Sequence, residues 1–175
     1  NGQAIRYPLA QVPRRSRTAG GVRGMRLAKG DLVVAMELAG EQGYLLTVSR
    51  QGFGKCTPLS DYRGQGRGGV GVRTFRVTPK TGPVADAKVV PELDDWEVLL
   101  SSAKAQVIRV SLEDIKAMGR NTSGVIVWRD REPDDYITAV TCFCPKGPKP
   151  GVAAPQAKKA APRQTGSTNG RKASA

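Results

Sequence analysis

Residues 61–77 read "DYRGQGRGGVGVRTFRV", with five glycines, four arginines and no acid after Asp61. Glycine admits positive φ and lets the backbone come close to a ligand. A run such as Gly64 to Gly71 can aim several N–H groups into a concavity suited to phosphate. Arginine adds a two-pronged donor for the same oxygens. The chemistry these residues offer is therefore anion recognition. Residues 13–26 have the same character, with Arg14, Arg15, Arg17, Arg23 and Arg26 and no acid, and Lys116 and Arg120 remain in a third such loop. "GQGRGG" is not a dinucleotide fingerprint, because no βαβ unit with a following acidic residue accompanies it. Taken alone, each loop also fits a flexible turn with solvated arginines; three equivalent basic loops favour a track for a polyanion backbone. Few aromatics flank them, which disfavours stacking on single-stranded bases.

Little else in the chain suits catalysis. There is no histidine. The three cysteines, Cys56, Cys142 and Cys144, are odd in number and widely spaced, which argues against a disulfide framework. Cys142 and Cys144 would share one face of a strand, but a metal site needs more ligands, so they read as small buried hydrophobes. Neither a metal nor another cofactor is expected in this chain.

The loops sit in a repeat. Residues 1–27 align with residues 51–77 without a gap, so that Gly2 meets Gly52, Pro8 meets Pro58 and Gly21-Val22 meets Gly71-Val72. Residues 105–128 form a third copy, in which Leu112 falls on Leu9 and Gly124-Val125 on Gly21-Val22. Arg17, Arg67 and Arg120 share one position, which a cyclic array turns into one side of the assembly. The predicted strands are short. "YLLTVS" (44–49) and "WEVLLS" (96–101) open two units; Val72 to Val77 and Gln106 to Val110 lie inside them; Leu32 to Leu38, Val84 to Val90 and Tyr136 to Phe143 close all three. Ser111 to Met118 has a capping-box start, but its counterparts contain Pro8, Pro13 and Pro58, which predicts an irregular connection there. Four short strands per unit of about 50 residues is the signature of a propeller-like blade. No counterpart of "YLLTVS" precedes Asn1, so the first unit lacks an opening strand, as in a piece of a longer array.

Composition agrees. The chain has 175 residues, 39% hydrophobic and only 5% aromatic, so one aliphatic core is expected over residues 1–144. The domain reading is an incomplete blade at 1–40, a second at 41–92 and a third at 93–144. Residues 145–175 hold seven Lys and Arg and no acid, are rich in Pro, Ala and Gly, and read as a disordered basic tail. The net charge of +13 favours a polyanionic partner. There is no run of 18 apolar residues and no signal peptide, so no membrane partner is expected.

At these residues the chain resembles a known family, the C-terminal domain of the DNA gyrase A protein. "GMRLAKGDLVVAMEL", "QGFGKCTPLSDY", "RVTPKTGPVADAKVV" and, most specifically, "MGRNTSGV" look like that family's repeats in the same order. The resemblance implies an all-β fold, a partial β-pinwheel of about three four-stranded blades that exchange strands, similar to the last three of the family's six. Gln65 to Gly71 resembles the family's box Gln-Arg-Arg-Gly-Gly-Lys-Gly, with Gly66 in place of an arginine and Val70 in place of a lysine. It implies binding and wrapping of double-stranded DNA around a basic rim, through Arg14, Arg15, Arg17, Arg23, Lys55, Arg63, Gln65, Arg67, Gly68, Gly69, Arg73, Lys116 and Arg120. It further implies a cytoplasmic, nucleoid-associated setting. The partners would be the rest of gyrase A and gyrase B, in a heterotetramer of two copies of each that hydrolyses ATP elsewhere. The cleavage tyrosine belongs to a separate domain; Tyr7, Tyr44, Tyr62 and Tyr136 read as packing residues. Two rival readings are the related C-terminal domain of the A protein of topoisomerase IV, which is a decatenase, and a propeller that binds proteins.

Overall fold

A computed structural model describes residues 1–129, 132 and 134–147. Of the expected disordered tail, residues 145–175, all but 145–147 lies outside the described residues; those three make a turn, with Gly147 N–H donating to Cys144 O at 3.1 Å. The described part is all-β: nine antiparallel strands and three short 3-10 turns. The first repeat contributes β1 (Gln3–Ala4). The second contributes β2 (Tyr44–Ser49), β3 (Phe53–Pro58), β4 (Val72–Arg73) and β5 (Val84–Val90). The third contributes β6 (Glu97–Ser102), β7 (Val107–Ser111), β8 (Val125–Ile126) and β9 (Ile137–Phe143).

The third strand of each unit leaves its own repeat. The sheets run β5-β2-β3-β8, β7-β6-β9 and β1-β4. Thus β8 of the third repeat completes the sheet of the second, with Phe53 opposite Ile126 and Gly54 opposite Val125. In the same way β4 pairs with β1, Ala4 opposite Val72. A repeat in the sequence and a sheet in space are therefore different sets of residues.

Burial explains the patterns. β2 lies between β5 and β3, and its last four residues, Leu46 to Ser49, are buried on both faces, Leu46 and Val48 on one and the polar Thr47 and Ser49 on the other. β6 buries alternate residues, Val98, Leu100 and Ser102, as expected of a strand with one covered face. Val48, Val90, Leu112, Ile115, Ile137 and Trp128 join these in one core that spans the second and third repeats.

Three expectations are corrected. Leu32 to Leu38 is not a strand, and Leu32 and Met36 are 77% and 92% exposed. Its counterparts β5 and β9 each pair with the opening strand of their own repeat. The described residues of the first repeat include no opening strand, and a strand without a neighbour leaves its N–H and C=O groups unpaired. The proline-bearing connections are not irregular either: all three repeats make the same 3-10 turn, Leu9–Gln11, Leu59–Asp61 and Leu112–Asp114. Pro8 and Pro58 sit at the N-cap, where no N–H is required, while Ser111 caps the third with its side chain. Finally, β9 ends at Phe143, so Cys144 lies past the strand, its thiol donating to Gly147 O at 3.0 Å.

Gly124 is what lets β8 cross to β3. Its φ is +73°, and a Cβ there would overlap the Gly54 carbonyl. Gly71 stands in the same relation to Ala4, at φ +84°. Gly21 occupies the same repeat position but has open space around it. Gly124→Ala should cost about 2 kcal/mol or more, a melting point lower by roughly 4–8 °C. Gly21→Ala should shift it by less than about 2 °C. Equal effects of the two changes in calorimetry would contradict this account of the crossing.

Candidate nucleic-acid interface

The second and third basic loops are each docked on the repeat before, by the same bonds at both seams. At the first seam Gln65 N–H donates to Arg6 O at 2.8 Å, and at the second Met118 N–H donates to Cys56 O at 2.8 Å. Thr74 N–H donates to Gly2 O at 2.8 Å, and Val127 N–H to Gly52 O at 2.8 Å. In the reverse direction Arg26 N–H donates to Gly69 O at 2.8 Å, and Arg76 N–H to Thr122 O at 2.9 Å. Part of the loop backbone is thus used in holding repeats together. What projects from them is side chain.

Those side chains fall into two groups. Arg14, Arg15, Arg17, Arg23, Arg63, Arg73 and Lys116 are exposed. Arg120, half-buried, shares with Arg73, Asp61 and Asn121 an open cleft of about 690 Å³ between the second and third repeats. An arginine from each repeat at one cleft suits an anion bridging the seam. Sequence reasoning does not single out Asn121; its place beside Arg120 in "MGRNTSGV" is the signal that could have found it.

A second group is spent on the protein. Arg67 donates from Nε to Gln11 O at 2.9 Å and from Nη1 to Arg23 O at 2.7 Å, while its N–H donates to Gln11 Oε1 at 2.7 Å. It clasps the first and second loops together. Gln65 is half-buried, with its Nε2 shielded from solvent. Gly68 and Gly69 are occupied by their bonds to Gly24 O and from Arg26 N–H.

Lys55 requires correction. It is fully buried, not exposed to a phosphate. Its Nζ donates to Gly119 O at 2.7 Å, Arg120 O at 2.5 Å and Thr122 Oγ1 at 3.0 Å. Burial lowers its ammonium to about 8; the Asp61 carboxylate opposes that shift and Arg120 adds to it. Sequence alone could not show this, because nothing in β3 signals that both of its faces are covered.

Two of the three thiols are kept by burial out of reach of nucleophilic chemistry. Burial pushes Cys56 and Cys142 up to about 12, so neither presents a thiolate near neutral pH. Among the described residues no group of three or more His, Cys, Asp or Glu side chains is placed to hold a metal ion. Nor is any helix there long and apolar enough to cross a membrane.

Comparison with known proteins now bears on this arrangement. The family described as "DNA gyrase C-terminal domain, beta-propeller" matches residues 1–39, 43–91 and 97–143, one segment per repeat. The chain belongs to the DNA gyrase C-terminal domain family. Among relatives, the DNA gyrase A protein of Dehalogenimonas lykanthroporepellens is 40% identical over 147 residues, covering 81% of this chain and 18% of that protein. That of Chlamydia pneumoniae is 38% identical over 138 residues, 78% of this chain and 16% of the relative. A solved gyrase A C-terminal domain superposes with a TM-score of 0.71 at 30% identity, over 81% of this chain and 47% of that one. A topoisomerase IV C-terminal domain superposes with a TM-score of 0.76 at 21% identity, over 84% of this chain and 45% of that one, a likeness of fold. The chain thus spans less than a fifth of these two gyrase A relatives.

In this gyrase-family chain, arginines of the basic loops differ in duty, and that is measurable. Arg67→Ala should lower stability by about 1 kcal/mol, because bonds across two loops are lost. Arg73→Ala should change it by less than about 0.5 kcal/mol. Urea unfolding of the two variants decides; an unchanged midpoint for Arg67→Ala would refute the clasp.

Lys55 also sets a pH dependence. A free lysine titrates near about 10.4, so the folded chain releases this proton before the unfolded chain does. Between about pH 8 and 10 the unfolded state binds more protons, and the contribution of this group to stability rises with pH. The stability of the unaltered protein relative to Lys55→Met should therefore rise over that range in denaturant titrations. A falling difference would show that the folded ammonium is not depressed.

Proposed function

We propose that this chain binds and wraps double-stranded DNA as part of a gyrase A protein. One observation carries the reading: acid-free basic loops recur in all three repeats, the second and third docked by identical backbone bonds, and each presents cations at its surface, Arg17 and Arg23, then Arg63 and Arg73, then Lys116 and Arg120. Fixed spacing matters because bending duplex DNA by about 40–90° over some 20–30 base pairs costs of order 1–6 kcal/mol. A rigid curved row of cations can offset that by meeting successive phosphates. Arg14, Arg15, Arg17, Arg23, Arg63, Arg73, Lys116 and Arg120 supply the contacts, with Asn121 beside them. Arg67, Gln65, Gly68, Gly69 and Lys55 hold the loops that carry these side chains.

In this reading the chain performs no bond chemistry and needs no cofactor. It works in the cytoplasm on nucleoid DNA, and not at a membrane. The rest of gyrase A and gyrase B, two copies of each, would supply cleavage and ATP hydrolysis, and the wrap would present a second duplex segment for passage. The basic residues beyond 147 would add affinity without adding curvature.

The test is duplex binding against salt, with bending read by end-to-end fluorescence transfer. With roughly five or six phosphate contacts, log K should fall against log salt with a slope of about −5. Sequence should matter little beyond bendability. A slope near zero, or binding without any bend, would overturn the proposal. Supercoiling against decatenation by the assembled enzyme separates a gyrase role from that of topoisomerase IV.

A further inference from the structure

The two seams share their backbone bonds but are locked by different side chains. At the first, Ile5 stands where Lys55 stands at the second. Ile5 offers only a methyl, close to Gly69, and can donate nothing to the loop above it. The loop is instead clasped from outside by Arg67, whose guanidinium reaches Gln11 O and Arg23 O. At the second seam the lock is inside. The Lys55 ammonium has three hydrogens, and three oxygens of the 119–122 loop receive them. Thr122 Oγ1 in turn donates to Gly119 O at 2.9 Å, which closes the turn around the ammonium. The Phe75 ring lies 6.0 Å from Nζ and covers it. Relieved of the clasping duty, the Arg120 guanidinium has no protein acceptor among the described residues, and Arg120 lines the open cleft together with Arg73, Asn121 and Asp61.

We propose that Lys55 is a positioning residue of the interface: its buried ammonium fixes the 119–122 loop from within, and so leaves Arg120 available to a DNA phosphate beside Arg73. This rests on the duplex-binding reading given above. It makes a lysine that no phosphate can touch a determinant of phosphate binding. It also separates the seams by role. The first, held by Arg67, spends its arginine on the protein, whereas the second gains a free arginine because a lysine replaces it beneath the loop.

A double-mutant cycle on the full 175-residue chain tests it. Duplex affinity and its salt slope are measured for Lys55→Met, Arg120→Ala and the pair. Lys55→Met should weaken binding several-fold and make the slope shallower by about one, the effect expected of losing one phosphate contact. With Arg120 already replaced, Lys55→Met should add little. Effects that multiply would overturn the proposal, since Lys55 would then act independently of Arg120. Thr122→Val removes one oxygen of the cradle and leaves the lysine in place. Should Lys55→Met fail to fold, this variant must show the same non-additivity with Arg120→Ala, to a smaller degree, or the proposal falls.

Amide exchange at Met118 separates this inference from the reading it rests on. If the unaltered chain binds no duplex, the function proposed above is wrong. Positioning by Lys55 then stands only if Lys55→Met, or Thr122→Val, speeds exchange of the Met118 amide and spares that of Gln65 at the other seam. Equal acceleration at both seams, or none, would overturn it.

Discussion

Three backbone hydrogen bonds, made once at each seam, set the geometry on which the rest depends. Each joins a loop to the preceding repeat: Gln65 to Arg6 and Met118 to Cys56, Thr74 to Gly2 and Val127 to Gly52, Arg26 to Gly69 and Arg76 to Thr122. A single bond of this kind contributes only about 0.5–1.5 kcal/mol. Together with the crossing strands β4 and β8, however, they leave each repeat one way to sit on its neighbour. The glycines at 71 and 124 are conditions of that contact, because any side chain there would strike the carbonyl it passes. Since the bonds are backbone to backbone, the side chains of the loops can vary while the spacing stays the same.

That division between backbone and side chain explains how the charge is used. A chain with a surplus of cations would be expected to present all of them to solvent. Here some are drawn inward. Arg6 donates to Leu59 O at 3.0 Å and Gly40 O at 2.6 Å; Arg67 spans two loops; Lys55 is buried under a third. These residues order the loops, and the exposed arginines exploit the order. Desolvating a cation is costly without acceptors, and backbone carbonyls of the turns and loops provide them, those of Gln11, Arg23, Gly40, Leu59, Gly119 and Arg120 among them.

Much of this is legible in the sequence, to a limit set by physics. The long strands β2, β5, β6 and β9 announce themselves by apolar runs or alternation, and the repeat reveals the number of strands in a unit. The partners of β4 and β8 are less visible. Two-residue strands carry no periodicity, and nothing local says that Val125 belongs with Gly54 when Val107 is nearer in the chain. Leu32 to Leu38 has every local mark of a strand and still is not one, because a strand is a relation between two segments. Pro8 and Pro58 look like helix breakers and serve as caps. Lys55 looks like a surface cation, since neither its type nor the alternation of β3 shows that the next repeat will cover it. The exposure of Arg14, Arg17 and Arg73 follows from their type and setting; the inward turn of Arg67 does not.

Strand exchange also has a consequence for the order in which the protein is made. Gly54 needs Val125 to complete its sheet, and Ala4 needs Val72. On a ribosome, the first and second units emerge well before the segments that finish them, so each waits, with an open edge, for the repeat behind it. Closing such distant pairs is slow relative to local hairpins, and open edges are where nascent chains pair wrongly. Folding of this array is therefore staggered by one repeat along the chain: the hairpin of β2 and β3 can form early, but its far edge stays unsealed until synthesis has passed Ile126.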